Sequence, residues 1–439
     1  MKIRLSLVTL ILSTFLFSSC NSKREIKPLD EYLNHLTKYD KALGSVLLRQ
    51  RGKTIYQKSY GTIKRENDTI YHIGSITKTF TATIILKLIE EGKFQFNTTL
   101  DNFYPTIKNA KLIQIKHLLQ HRSGLVNYTD RQTEYNQYRF RKTSESELIK
   151  LFEGYGTEFI PGTKFKYSNT GYALLTFIAQ KVSGKTYSEL LKEYITDPLK
   201  LKDTYVYDLD KPREREVPGY FKEHSWAKSK MTHQSVPLGA GAIASTTNDL
   251  ATFLEALLKG KLLHPQSLSI MKVMKDGFGF GLIQVPFNKD RGYGHTGGLD
   301  GYRSIAFYFP KHDLTVINLV NGLDTVMNDI SIAILKSFHG IDFKLPIFPK
   351  YVSVKEEILK TYSGTYKAKN IPLTIKFFID NKNLFGQVLN SGQERFPLNA
   401  VANDEFEFSL VGVLIKFYPK EKKIVFKQNG ATYEMFRVK

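Results

Sequence analysis

Ten residues, 341–350, divide this sequence into two stretches that obey different folding rules. They read Ile-Asp-Phe-Lys-Leu-Pro-Ile-Phe-Pro-Lys, and two prolines so close together suit neither a helix nor a central strand, so the segment reads as an extended linker. Past it, short strand-like runs stand at 374–379, 384–389, 405–410, 414–418, 423–427 and 432–437, separated by turns such as Asp380-Asn381-Lys382. Six or more such runs in about 80 residues predict a small antiparallel barrel.

The longer stretch mixes two periods. A helix is expected over 29–39 and a hairpin over 42–60, turning at Arg51-Gly52-Lys53. Between Ile73 and Gly92, Phe80, Ile84 and Leu88 recur with Ile85 and Ile89 at three- and four-residue spacing, and Gly92 stands where a helix commonly ends. Further helices read at 171–182 and 249–258, the second behind the capping pattern Thr246-x-x-Asp249. A hairpin over 302–320 folds at Pro310-Lys311-His312-Asp313, and a helix over 326–338 follows. Strands at both ends of a helical insert predict an α+β domain: an antiparallel sheet flanked by helices, with a small all-β barrel behind it. The expected partition is 1–19 leader, 20–28 tether, 29–340 main domain, 341–350 linker and 351–439 barrel.

The N-terminus reads as an export signal. Lys2 and Arg4 precede an apolar run over 5–17, which is short of the roughly 20 residues needed to span a bilayer. Cys20, the single cysteine of the chain, follows Phe17-Ser18-Ser19 and resembles the lipobox of bacterial lipoproteins. That resemblance implies acylation at Cys20 and an exported, membrane-anchored protein facing the periplasm. The rest of the chain then offers neither a disulfide nor a thiolate metal site, and no cofactor is implied. A formal charge of +21 favours anionic neighbours, but the lysines are scattered rather than gathered on one helix. Nucleic acid is therefore a poor partner, and anionic lipid head groups or an acidic wall polymer suit the charge as well as a plain solvated surface does.

Three residue groups carry chemistry. A serine hydroxyl is a weak nucleophile until a base takes its proton, and one helical turn sets Lys78 beside Ser75. Lysine serves as that base only if burial or neighbouring positive charge lowers its pKa. Tyr167-Ser168-Asn169 offers a phenol able to relay a proton, and an amide able to hold a substrate carbonyl or to orient Lys78. His295-Thr296-Gly297-Gly298 precedes the strand expected from Tyr302, with glycines that let backbone pass close to a bound acyl group. The amides of Ser75 and Gly298 are candidates for an oxyanion hole. His295 reads either as a plain turn histidine or as a neutral-to-cationic group suited to a substrate carboxylate. Isolated patterns carry little weight, since Ser225/Lys228, Ser269/Lys272 and Tyr32-Leu33-Asn34 repeat them by chance.

In this order the groups resemble the serine β-lactamase and penicillin-binding superfamily, in its class C, D-alanyl-D-alanine carboxypeptidase and esterase branch. Similar stretches lie at 117–125, 161–172 and 239–250, and the likeness spans about 30–340. The tail past 350 is similar to the lipocalin-like barrel found behind some of these hydrolases, with Gly364-Thr365-Tyr366 near its start. The resemblance implies that Ser75 is acylated, that Lys78 and Tyr167 share proton transfer, that Asn169 holds substrate, and that His295, Thr296 and Gly297 line the opposite wall. Many relatives carry lysine where His295 stands. Histidine is mostly neutral at pH 7, so turnover of carboxylate-bearing substrates is expected to strengthen as pH falls toward 6.

The leading expectation is a serine hydrolase of D-amino-acid, cell-wall-type peptides, followed by an esterase or amidase of small acyl substrates and then by a β-lactamase. Two rivals come from other classes. His117 and His121 have the spacing of zinc helices, though Leu118 stands where a catalytic glutamate belongs. A catalytically silent binding lipoprotein, with the barrel as the binding unit, is the other.

Overall fold

The computed structural model describes residues 26–223, 225–389, 395–428 and 430–438; the leader and Cys20 lie outside them. The main domain is built on a sheet whose strands come from both ends of the stretch before the linker. Strands β1 (Ala42–Gln50) and β2 (Lys53–Tyr60) form the first hairpin. Its turn uses Arg51 and Gly52 at φ +50° and +74°, the left-handed pair that matches the twist of a tight hairpin. Strands β3 (Ile283–Phe287), β4 (Asp290–Leu299), β5 (Tyr302–Phe309) and β6 (Leu314–Leu323) give the order β2-β1-β6-β5-β4-β3 with every neighbouring pair antiparallel, and a short hairpin of Tyr220–Lys222 and Trp226–Lys228 adds one parallel pairing, Tyr220 with Gly322. The first strand of the domain thus pairs with its last, and the helical insert must fold between them.

Side chains alternate across this sheet, and each face buries a different set of helices. On one face Val46, Leu48, Ile305, Phe307 and Val316 pack beneath α1 (Lys27–Lys38) and α5 (Met327–His339). On the other, Leu47, Ala306, Tyr308, Ile317 and Leu319 join a larger core with α2 (Thr77–Glu90), α3 (Asn169–Ser183) and α4 (Thr247–Leu258). Helix α1 starts at Lys27, inside the stretch expected to be tether. Helix α2 is the centre of the domain. Thr77, Lys78, Thr79, Phe80, Thr81, Ala82, Thr83, Ile84, Ile85 and Leu86 are all buried, so it has no solvent face along its first ten residues. A helix apolar or hydroxyl-bearing on every side is sequestered inside a larger protein. Its threonines close their own hydroxyls: Thr79 Oγ1 donates to Gly281 O at 2.7 Å and Thr83 Oγ1 to Thr79 O at 2.8 Å.

Residues 341–355 carry neither helix nor strand and run back over α1, where Tyr32 and Phe343 meet edge to face at 5.7 Å. Then comes α6 (Glu356–Tyr362) and a closed eight-stranded antiparallel barrel. Its strands are β7 (Gly364–Ala368), β8 (Thr374–Asp380), β9 (Asn383–Val388), β10 (Phe396–Ala402), β11 (Glu405–Phe408), β12 (Val413–Tyr418), β13 (Lys423–Gln428) and β14 (Ala431–Val438). Strand β10 is hidden in the sequence because Pro397 sits within it and proline argues against a central strand. The barrel interior is filled: Tyr362 and Phe417 lie 4.6 Å apart between centroids, and Phe377 packs on Phe417 at 5.2 Å.

A buried ion pair within the sheet domain is hydrogen-bonded to residues beyond the linker. Lys41 Nζ lies 2.7 Å from Asp324 Oδ2, with side chains 4% and 6% exposed. Lys41 also donates to the Tyr351 hydroxyl at 3.0 Å, Tyr351 donates to Glu407 at 2.7 Å, and Ser409 donates to Asp324 at 2.9 Å. Truncating one member leaves the other charge buried and unpaired, which costs about 3–5 kcal/mol in such settings. Asp324→Ala is therefore expected to lower unfolding free energy by about that amount in chemical denaturation, whereas an unchanged midpoint would show that the pair contributes nothing net.

Candidate active site

Ser75 sits in the short 3-10 turn Gly74–Ile76 that feeds α2, and Lys78 follows one turn later, at the buried start of the helix. Gly74 takes φ +52°, and a Cβ there would stand 2.7 Å from the Gly298 amide nitrogen, so only glycine lets the Ser75 turn approach β4 this closely. Lys78 is fully buried, and its Nζ meets three oxygens: Ser75 Oγ at 3.0 Å, Asn169 Oδ1 at 2.8 Å and Ala240 O at 2.6 Å. Among the described residues no carboxylate forms an ion pair with it. Burial alone therefore pushes its pKa well below 10.5. The three contacts fit an uncharged amine: two N–H bonds go to the amide and carbonyl oxygens, which can only accept, and the lone pair is left facing the Ser75 hydroxyl. Asn169 is itself held, its Nδ2 donating to Thr129 Oγ1 at 3.0 Å and its backbone N–H to Asn127 Oδ1 at 2.9 Å, which turns Oδ1 toward Lys78.

Tyr167 lies just before α3, with Lys78 Nζ 5.0 Å from its ring centroid. Burial raises its pKa above the usual phenol value, against a side-chain hydrogen bond with Ser75 that acts the other way, so the phenol is protonated at neutral pH. His121 stacks on the Tyr167 ring at 4.2 Å and accepts from the Ser168 amide at 3.1 Å. Burial, then the charge of Lys78, lowers its pKa far below 6.5. His117 is used elsewhere, accepting from the Gln114 amide at 3.2 Å at the start of its own short helix. The zinc spacing thus reflects two separate structural tasks.

The His-Thr-Gly-Gly group is not a turn. It lies inside β4 and pairs with β5, with His295 opposite Ala306, Gly297 opposite Ser304 and Gly298 opposite Arg303. The four glycines between Asp290 and Leu299 read as loop in the sequence, but Gly297 answers a packing demand: a Cβ there would stand 2.0 Å from Ile73 O and 2.3 Å from Ser304 Oγ. His295 is buried, 3% exposed, with its Nδ1 at 2.6 Å from Thr296 O and its Nε2 without a partner among the described residues. Burial, and then Lys78, pushes its pKa down to about 4. The expected gain toward pH 6 from an imidazolium here is corrected accordingly: the ring charges only near pH 4. Thr296 is also displaced from its expected wall, because strand alternation points it to the opposite sheet face, where it lines a separate groove.

A cleft of about 400 Å³ opens on Ser75, lined by Thr129, Asn169, Gly298, Asp300 and Arg303 among others. Sequence reading missed Arg303. It stands directly across the ladder from Gly298, and because Gly298 has no side chain the guanidinium lies over it; a Cβ at 298 would be 3.5 Å from Arg303 Nη1. Its one hydrogen bond among the described residues is to Tyr302 O at 2.7 Å, and no carboxylate pairs with it there. The nearby Asp300 is already taken, by Arg139 at 2.6 Å and by the Thr232 amide at 2.6 Å. Burial thus favours the neutral forms of Lys78, His121 and His295, while Arg303, with no carboxylate partner among the described residues, stands at the rim.

The profile of the Beta-lactamase family matches residues 29–337, most of the chain and the whole sheet domain. The chain belongs to the beta-lactamase family. Within and around that family, a penicillin-binding protein of Bacillus subtilis (strain 168) is 27% identical over 95% of this chain and 99% of its own length. The teichoic acid D-alanine hydrolase of Staphylococcus aureus (strain MRSA252) is 28% identical over 70% of this chain and 77% of that protein. A D-stereospecific amidohydrolase from Streptomyces sp. superposes with a TM-score of 0.64 at 26% identity, covering 72% of this chain and 99% of the other. With these relatives the chain is a hydrolase of the beta-lactamase and penicillin-binding type.

Two substitutions test the geometry. Gly297→Ala pushes β4 off the nucleophile turn, and a displacement near 1 Å costs about 10²-fold in rate, so kcat/KM on an ester substrate should fall by that order without loss of fold by circular dichroism. Asn169→Asp would set a carboxylate beside Lys78, favouring the ammonium and raising its pKa. The acidic limb of the pH-rate profile should then move up by at least about one pH unit, with slower acylation at pH 7. A profile that stays in place would show that Lys78 does not supply the titrating base.

Proposed function

We propose that this protein is a serine acyl hydrolase working through a Ser75 acyl-enzyme, with D-amino-acid peptides of cell-wall type, ending in a free carboxylate, as its main substrates. The observation that carries the proposal is the buried Lys78 amine 3.0 Å from Ser75 Oγ, with Asn169 Oδ1 and Ala240 O placed to accept its other hydrogen bonds. In the first step the Ser75 proton passes to Lys78 while Oγ bonds to the acyl carbon, and the carbonyl π pair moves to oxygen. The amides of Ser75 and Gly298 receive that oxyanion, an interaction whose loss typically costs about 3–4 kcal/mol of barrier. As the tetrahedral intermediate collapses, the Tyr167 phenol gives its proton to the leaving nitrogen or oxygen and regains one from Lys78. Water then takes the leaving group's place, and the same transfers run in reverse to free Ser75.

Substrate class follows from charge. The S. aureus relative is named for hydrolysis of D-alanine from teichoic acid, and the Streptomyces neighbour for D-stereospecific amide hydrolysis, so D-configured acyl groups suit the family. With His295 neutral, Arg303 is the group that would grip a substrate carboxylate. A second reading, an esterase or amidase of small D-amino-acid derivatives, is favoured by the absence of a fixed cation at position 295. We also propose, from the sequence alone, export and anchoring through an acylated Cys20. Among the described residues no helix is long and apolar enough to cross a membrane.

The test uses protein lacking residues 1–20, beside Ser75→Ala and Arg303→Gln, with a fluorescent penicillin, a peptide ending in D-alanyl-D-alanine, the same peptide amidated at its C-terminus, and a p-nitrophenyl ester. Wild type should form a covalent adduct and cleave the free peptide better than its amide, and Ser75→Ala should lose both activities. A charge-assisted contact is worth about 1.5–3 kcal/mol, so Arg303→Gln should erase a preference of roughly 10- to 100-fold. Ester cleavage with no preference for the carboxylate would establish the second reading. Equal silence of wild type and Ser75→Ala would overturn both.

A further inference from the structure

A second cavity lies on the other side of the catalytic strand. It is a groove of about 380 Å³ between the outer face of the sheet and α5, walled by Val285, Phe287, Ile305, Phe307, Met327 and Leu335. These side chains come from β3, β5 and α5, and several are only partly buried although they face one another. Ile332, at the groove's open side, is 36% exposed. The groove has a single charged lining residue, and it is Arg303.

Arg303 thus belongs to both cavities. Ser304, next in the strand, points to the nucleophile side, where its hydroxyl donates to Ile73 O at 2.8 Å, while Arg303 starts on the α5 side and crosses bare Gly298 toward Ser75. Burial lowers its pKa against the pull of Asp300, which means that the cation is partly stripped of water and gains from an anionic partner. An apolar channel closed at one end by a guanidinium that has no carboxylate partner among the described residues has the chemistry of a site for a single-chain amphiphile. Its walls are side chains of a sheet face and a helix rather than a free strand edge, so they offer no ladder to a peptide.

We propose that this groove binds a fatty carboxylate, its chain between β3, β5 and α5 and its head group on Arg303. Occupancy has a consequence at the Ser75 cleft: a guanidinium holding the ligand's carboxylate is withdrawn from a substrate's, so the ligand competes with anionic substrates. That second statement rests on the function proposed above. The binding itself does not.

Calorimetric titration of the protein lacking residues 1–20 with dodecanoate is expected to show one saturable site. Dodecanol and dodecyltrimethylammonium should bind at least about tenfold more weakly, the loss of one charged contact. Arg303→Gln should weaken dodecanoate by a similar factor, and Ile332→Trp, which fills the groove from its exposed side, should abolish binding while leaving kcat on a neutral ester unchanged. Cleavage of the peptide with a free carboxylate should be inhibited by dodecanoate in wild type and not in Ile332→Trp. No saturable binding, or equal binding by Ile332→Trp, overturns the site. Saturable binding that depends on both residues, in a protein with no Ser75-dependent hydrolysis, keeps the site and discards the competition.

Discussion

A primary amine buried in the protein interior, with no carboxylate among the described residues to neutralise it, is the constraint on which the rest of this structure depends. An ammonium is stable in water and costly in a low-dielectric interior, so burial shifts the balance toward the free base. That outcome requires the surroundings to be dry and already supplied with acceptors for two N–H bonds. Helix α2 meets the first requirement by having no solvent face along its first ten residues, and Asn169 and Ala240 meet the second. The sheet, the helical insert and the crossing of chain ends are, from this viewpoint, the apparatus that keeps Lys78 uncharged beside a hydroxyl.

The same logic extends outward. His121 behind the Tyr167 ring and His295 on β4 are nitrogen bases that burial also holds neutral, and Tyr167 is kept protonated by the same cause. The pocket interior therefore carries hydrogen-bonding groups without net charge, and proton transfers within it do not compete with fixed ions. At the rim Asp300 is paired with Arg139, and Arg303, without a carboxylate partner among the described residues, reaches over a residue that has no side chain. A lysine at position 295 would have placed a cation close to Lys78. A neutral imidazole there, with an arginine reaching from the neighbouring strand, sets the cation of the site apart from the buried amine beside Ser75.

The helix that carries Lys78 just after the Ser75 turn was legible in the sequence because its apolar period is regular and Gly92 marks its end. The order of the three chemical groups was legible too, and with it the α+β architecture and the barrel behind it. What was hidden has physical causes. Four glycines disguised β4 as a loop, since glycine is a poor strand former unless something packs where its side chain would be, and that something, Ile73 O, comes from a segment more than two hundred residues earlier. Arg303 was invisible because its role arises from pairing across a hairpin; a long cationic side chain placed to face a glycine is the signal that could have found it. The neutral state of His295 follows from burial, which local sequence does not report.

The central claim concerns the protonation of one side chain and can be measured without any substrate. Lysine labelled with 13C and 15N at the ε position gives one signal per residue, and the signal missing from Lys78→Arg identifies Lys78. The account predicts that this signal titrates well below 10.5, apart from the exposed lysines. A Lys78 that titrates with them, or above them, would contradict it, because a permanently charged ammonium beside Ser75 has no lone pair with which to accept the proton.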